Sequence, residues 1–292
     1  MVVPVLYCSD PLNPRRVDDH FAAEAREVRE RGGVVALIDH DALLRGEADR
    51  AVERVPRGLD PAWYRGWMIP SADYAALAQA LELRDAAVLV GPEQYRTAHE
   101  LPGWYPTFTG VTPASVWSAG VAGPVLEDDA LASLAGELRP GPGIVKDYVK
   151  SRKHEWDEAC FIRDLSDTRA TARVVRRFVE LQGGFLAGGI VLREFESFVQ
   201  PQSEAAEVRV WWLDGRPRLV TPHPDSAHRS GLVPELGQIE AAVRGLGCRF
   251  VTTDVALRSD GAWRVVEVGD GQVSDLHASI DPGELVGLLP AA

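Results

Sequence analysis

Two stretches near the C-terminus constrain the fold more than anything else in the chain: EVRVWWL-DG-RPRLVT from Glu207 and VTTDVALR-SDG-AWRVVEVGDG from Val251. Asp-Gly accepts the positive φ of a tight primed turn, and alternating side chains on either side read as half-buried strands. Two hairpins, with a helix expected over 233–246 between them, commit this region to an antiparallel sheet. In the first, Glu207 and Arg209 share a face with Trp211 and Leu213. In the second, a two-residue turn at Asp260-Gly261 sets Asp254 opposite Glu267. Like charges directly opposed cost up to about 1 kcal/mol. The pair therefore calls for a cation or a raised carboxyl pKa, unless the strand end is frayed into water. Oxygen donors alone favour magnesium or manganese over zinc.

Upstream the periodicity differs. VVPVLY (2–7), VVALID (34–39) and AAVLVG (86–91) read as strands. They alternate with helices over 17–31, ended by Gly32-Gly33, and 71–85, with Ser71 as N-cap. That order predicts a small parallel α/β domain. Residues 101–143 are rich in Pro and Gly and read as a connector with one helix, 127–138. A strand (143–149), a charged loop, FIRDL (161–165), a helix (166–182) and a strand (188–198) follow. The fold class expected is α/β, with α+β character in the C-terminal part.

The net charge of -12 and a pI near 5.1 argue against nucleic acid or anionic membranes as partners. No run reaches the roughly 20 apolar residues of a membrane span. MVVPVLYCSD lacks the features of a signal peptide, and Cys8, Cys160 and Cys248 are too scattered for a disulfide frame. A cytoplasmic protein is expected.

Against 28 arginines the chain holds three lysines, Lys146, Lys150 and Lys153, all within GIVKDYVKSRKHEW. A compact ammonium on a flexible stem suits phosphate, and a chain that otherwise writes positive charge as arginine has no evident reason to choose lysine on a bland surface. The alternative is a solvated surface loop over 150–154.

Lysine on a strand, a basic loop, a helix, a strand ending in an acid, an E-x-R strand and D…E on a final hairpin resemble, in that order, the ATP-grasp superfamily. KDYVKS and VVEVGDGQV look closest to the ATP-grasp group named for two arginines and a lysine. The resemblance implies an ATP-grasp fold: an N-terminal α/β domain (1–110), a connector (111–142), a small nucleotide-binding lobe (143–198) and a large lobe with the metal site (199–292). It implies that Lys146 binds nucleotide phosphates and that Lys150, Ser151 and Lys153 close over them as a lid. Backbone at Glu194, Phe195, Glu196 and Ser197 would meet the adenine edge. Glu207 would hold the ribose and Arg209 the phosphates, with Lys150, Lys153 and Arg209 catalytic. Asp254 and Glu267 would bind magnesium, manganese being the alternative. Where many relatives place Asn two residues after the Glu, this chain has Gly269, so Asp270 or Gln272 would have to substitute.

The activity implied is an ATP-dependent carboxylate–amine (or carboxylate–thiol) ligase acting through an acyl phosphate on an amino acid, peptide or small carboxylate. A small-molecule kinase or a non-catalytic nucleotide-binding protein fits the same cleft. Arg65, Trp67, Tyr95, Arg96, His99, Trp104 and Tyr105 form polar-aromatic clusters that either touch substrate or pack between lobes. The loop TPHPDSAHRSG (221–231) reaches either the cleft or water. Monomer and homodimer both remain open.

Overall fold

A computed structural model describes residues 4–118, 127–199, 207–225 and 233–289. The N-terminal sheet is parallel, in the order β2-β1-β3, from β1 (Val5–Cys8), β2 (Val35–Ile38) and β3 (Trp63–Arg65). β1 is fully buried, as its unbroken apolar run requires, and each crossover carries helix. The expected third helix–strand step is shorter than its sequence suggests. Over 86–91 the chain makes only a bridge, Ala62 to Val88, at the sheet edge. Ser71 is the first residue of its helix rather than the N-cap, and its hydroxyl donates to Glu100 (2.7 Å).

The Pro/Gly-rich connector and the stretch just before it hold more structure than the sequence suggests. Helices Pro92–His99 and Leu101–Phe108 begin with proline in the first turn, where no N–H is needed. The second buries Trp104 and Phe108. β4 (Ser115–Trp117) then joins β5 (Gly143–Lys146), β6 (Phe161–Ile162) and β7 (Val191–Glu194) in an antiparallel sheet ordered β4-β7-β5-β6. Helix Thr168–Gln182, capped by Asp167, packs Val175 and Phe178 beneath it.

The third sheet is the one that the hairpins predict: β8 (Glu207–Leu213), β9 (Arg216–Pro222), β10 (Phe250–Leu257) and β11 (Trp263–Asp270), ordered β11-β10-β8-β9. Asp214 and Gly215 form the two-residue turn, both at positive φ. The last hairpin differs. Arg258 N–H donates to Ala262 and Gly261 takes φ 90°, so the loop is one residue longer than two. A register shift beside Asp254 absorbs the extra residue, and Asp254 still faces Glu267.

Candidate active site

The third sheet lays a charged row across three strands. Register sets Arg209 of β8 beside Asp254 of β10, and Asp254 beside Glu267 of β11. Alternation puts all three on one face, where they line a cavity of about 360 Å3. Arg209 meets Asp254 with two parallel hydrogen bonds of 2.8 Å, and its remaining nitrogen donates to the Asp275 carbonyl (2.9 Å). Lys146 enters from the second sheet, its Nζ 3.9 Å from Glu267 and donating to the Val149 carbonyl (3.3 Å). The two opposed carboxylates are thus each answered by a cation of the protein. Asp254 is buried in its pair, whereas the Glu267 side chain stays 39% exposed.

The electrostatics follow from that packing. Burial alone would raise the Asp254 carboxyl pKa, but the Arg209 guanidinium and the His223 imidazole hold it well below the usual range. Burial lowers Lys146, with Glu267 opposing. Glu207 is raised by burial and by the Asp254 charge, and its Oε1 is buried without a partner among the described residues. Lys153 stands above its usual value: its partial desolvation is outweighed by Glu267, Glu207, Asp254 and Asp225.

His223 completes the row. Its Nε2 lies 3.5 Å from Asp254, and Glu207, His223 and Asp254 bring donor atoms within 4.8 Å of one another. The loop 221–231 therefore reaches the cleft through His223; His228 and Arg229 lie outside the described residues. Among the described residues the donors close enough to share a divalent cation are Asp254, His223 and the unpartnered Glu207 oxygen, and Glu267 is not one of them. The imidazole adds a donor that manganese accepts as readily.

Asp270 and Gln272 sit differently. Asp270 is fully buried, its Oδ1 accepting the Gln272 N–H (2.8 Å), and burial pushes its carboxyl up to about 7. Gln272 is spent in the core, accepting from Tyr64 N–H (3.1 Å) and donating to Tyr74 (3.0 Å), so it does not replace the missing Asn. At Gly269 a Cβ would lie 3.1 Å from Thr252 Oγ1 and 3.4 Å from Ser274 Oγ. Those hydroxyls, 2.7 Å apart, line the cavity where a longer residue 269 would project.

The lysine loop is braced rather than loose. Asp147, 1% exposed, accepts N–H groups from Val149 (2.7 Å), Lys150 (2.5 Å) and Ala187 (3.2 Å) and the Gln182 amide (2.8 Å). Lys146 and Ser151 bridge across the resulting turn. Arg152 ties the next step to Glu155, Leu181 and Gln182, and Lys153 opens a short 3-10 helix, Lys153–Glu155. Lys150, Ser151 and Lys153 all line the cavity.

Residues Glu194 to Ser197 do not line this cavity. Glu194 is held by Arg139, Glu196 by Arg264 in two 2.9 Å bonds, and the Ser197 carbonyl by Ser259 N–H (3.3 Å). The N–H groups of Glu194 and Phe195 donate to Ala114 and Pro142. Beside this segment Phe195, Phe161 and Trp156 form an aromatic cluster with centroids 5.3–5.9 Å apart.

Of the upstream clusters, His99 lines the cavity, with burial lowering its pKa to about 4, and Met68 joins it. Tyr95 and Trp104 are core, Tyr105 packs edge-on against Trp117, and Arg65 is buried against Glu24 (2.8 and 2.9 Å). Arg96 pairs with Glu100 (3.2 Å), while Trp67 lies on the surface. Sequence reasoning passed over Arg193, whose buried guanidinium ties β7 to the Val266 carbonyl (2.7 Å) beside Glu267. The signal was an arginine inside the apolar run GIVLRE.

Comparisons with known proteins agree with this architecture. A family model described as an ATP-grasp domain, the third family of its clade, matches residues 134–289, more than half of the chain. Comparison with curated proteins finds no match. Among solved structures, the chain is similar to the ATP-grasp ligase PsnB complexed with minimal precursor, Mg and ADP, at 16% identity over 98% of this chain and 96% of that one (TM-score 0.56). It is similar to the D-cycloserine synthetase DcsG at 13% identity over 98% of each chain (TM-score 0.60). It is also similar to D-alanyl-alanine synthetase A from Vibrio cholerae at 11% identity, covering 99% of this chain and 97% of that one (TM-score 0.58). At these identities the likeness concerns the fold.

Proposed function

We infer function from one premise: the chain belongs to the ATP-grasp domain family whose model it matches. We propose that it is an ATP-dependent, magnesium-requiring ligase joining a carboxylate to an amine through an acyl phosphate. The observation that carries this reading is the row Arg209–Asp254–Glu267 of one sheet, which lines a polar cavity and is met at Glu267 by Lys146 of another. Cations and carboxylates interleaved in one cleft suit a polyanion held together with a divalent ion. The names of its structural neighbours, two synthetases and a ligase solved with Mg and ADP, support the same class.

In this reading Lys146 holds phosphate from a fixed strand, and Lys150, Ser151 and Lys153 cover it from the braced turn. Arg209 releases Asp254 and turns its planar fork to phosphoryl oxygens. Asp254, Glu267 and Glu207 hold the divalent ion, magnesium or manganese, which when bound supplies charge neutralisation at the phosphates. Glu196 and Ser197 meet the base beside the aromatic face of Phe195, and Glu207 reaches the ribose as the ion allows. Asp270, which borders the same cavity with its Oδ2 unpartnered among the described residues, is the further metal ligand of this reading. The division proposed is a domain at 1–110, a connector at 111–142 that lends β4 to the small lobe of 143–198, and a large lobe at 199–292. Most of the acceleration comes from positioning and fixed charge, with water kept from the acyl phosphate.

The test is ADP release measured with pooled amino acids and short peptides. Release is expected only when a carboxylate and an amine are both present, and Lys146→Ala and Glu267→Ala should each lower it roughly 100-fold or more. ADP formed from one substrate alone would make the protein a kinase.

A further inference from the structure

We infer that His99 holds the attacking amine of the second substrate, accepting a hydrogen bond from its nitrogen; this rests on the ligase reading above. The residue ends helix Pro92–His99 and lines the same cavity as Arg209, Asp254 and Glu267. It is only 6% exposed, and among the described residues neither ring nitrogen has a hydrogen-bond or ion-pair partner. Neither nitrogen is sealed in the core either, so the little surface that the ring keeps belongs to the cavity. A buried polar ring costs free energy until something bonds to it, and a ligand in the cavity is placed to do so.

The ring is held ready for such a contact. It stacks on Tyr95 with centroids 5.0 Å apart, and Tyr95 stacks on Tyr74 at 4.0 Å. Tyr95 Oη donates to the Ile69 carbonyl (2.7 Å) and accepts from the Ile69 N–H (3.3 Å). Tyr74 Oη donates to the Val90 carbonyl (2.7 Å) and accepts from the Gln272 amide (3.0 Å). The imidazole is thus fixed at the end of an anchored stack of three rings. Met68, one residue before Ile69, lines the cavity too and offers apolar surface to the carbon chain of an amine.

Charge decides which of the two substrates meets this ring. The carboxylate that becomes an acyl phosphate is an anion, and Lys150, Lys153 and Arg209 in the same cavity suit it. His99 adds no positive charge. Burial lowers its pKa to about 4, so the imidazole is neutral and keeps one nitrogen as an acceptor. Of the charges that act on it, Glu100 and Glu267 weigh more than Lys150 and Lys146. An uncharged acceptor in a field that leans negative suits the nitrogen of an amine, not a second anion.

The experiment is a competition for the acyl phosphate. Wild type, His99→Phe and His99→Gln each receive ATP, Mg2+, the pooled amino acids and short peptides, and hydroxylamine. Hydroxylamine is small and largely uncharged at neutral pH, so it traps an acyl phosphate as hydroxamate without needing an amine subsite. The quantity read is the ratio of amide to hydroxamate, by mass spectrometry. Both products come from one intermediate in one vessel, so partial misfolding lowers them alike and leaves the ratio intact. His99→Phe keeps the stack and loses the acceptor, and its ratio should fall about tenfold or more. His99→Gln restores an acceptor oxygen and should recover part of that loss. A ratio that keeps the wild-type value in His99→Phe, or that falls as far in His99→Gln, overturns the inference and leaves the ligase standing. A wild type that forms no hydroxamate sinks the ligase reading, and this inference with it.

Discussion

At the scale of single residues, the site is a set of charges that hold one another in place. Arg209 has a function that lysine lacks, because its two parallel bonds to Asp254 need a planar fork. Arg209→Lys should therefore cut kcat/KM for ADP release by roughly 10- to 100-fold with little change in melting temperature. An unchanged rate would remove Arg209 from the chemistry. Gly269 carries the opposite lesson. Asn there would crowd the Thr252 and Ser274 hydroxyls, so Gly269→Asn should cost about 1 kcal/mol in urea unfolding. The sequence placed Asp254 opposite Glu267 correctly although its turn was one residue short. The longer loop and the register shift beside Asp254 compensate, and neither leaves a mark in hydrophobic alternation. His223 was visible only as one of two histidines in a loop, since nothing local says which way such a loop folds.

At the scale of elements, the turn after β5 decides how the lysines are presented. Residues 147–150 look solvated and mobile in the sequence because their braces come from Gln182 and Ala187, more than thirty residues away. Asp147→Ala strips four hydrogen bonds from one buried carboxylate and should destabilise the protein by about 2–4 kcal/mol, read by chemical denaturation. A loss under 1 kcal/mol would mean that the turn holds itself. Strands flanked by Asp-Gly were legible because turn chemistry and alternation agree. Helices Pro92–His99 and Leu101–Phe108 were not, since proline and glycine mask their start. Their helicity is imposed by burial of Tyr95, Trp104 and Phe108.

For the whole molecule, the seams between the three sheets carry buried ionisable groups. Asp270, raised to about 7 by burial, lies at the seam between the first and third sheets. Its folded pKa exceeds the unfolded value, so the folded state binds the proton more tightly and stability falls as pH rises from about 4 to 7. His99, lowered to about 4, acts with the opposite sign, its contribution being lost as pH falls from 6.5 through 4. Comparison of variants isolates the first. The stability of Asp270→Asn relative to wild type should climb between pH 4 and 7 and level off above, by a few kcal/mol, roughly 1.4 per unit. A flat difference would place the carboxylate in water. Among the described residues no helix is long and apolar enough to cross a membrane, and Cys8, Cys160 and Cys248 are free and buried.

In the proposed reading Lys146 and Arg209, with Asp254 and Glu267, make a nucleotide site completed by a divalent ion. Isothermal titration of ATP with and without Mg2+, on wild type and Glu267→Gln, tests it most directly. Tight wild-type binding is expected only with Mg2+, with a loss of about tenfold or more in the variant. ATP that fails to bind, or that binds equally in all four titrations, would contradict it.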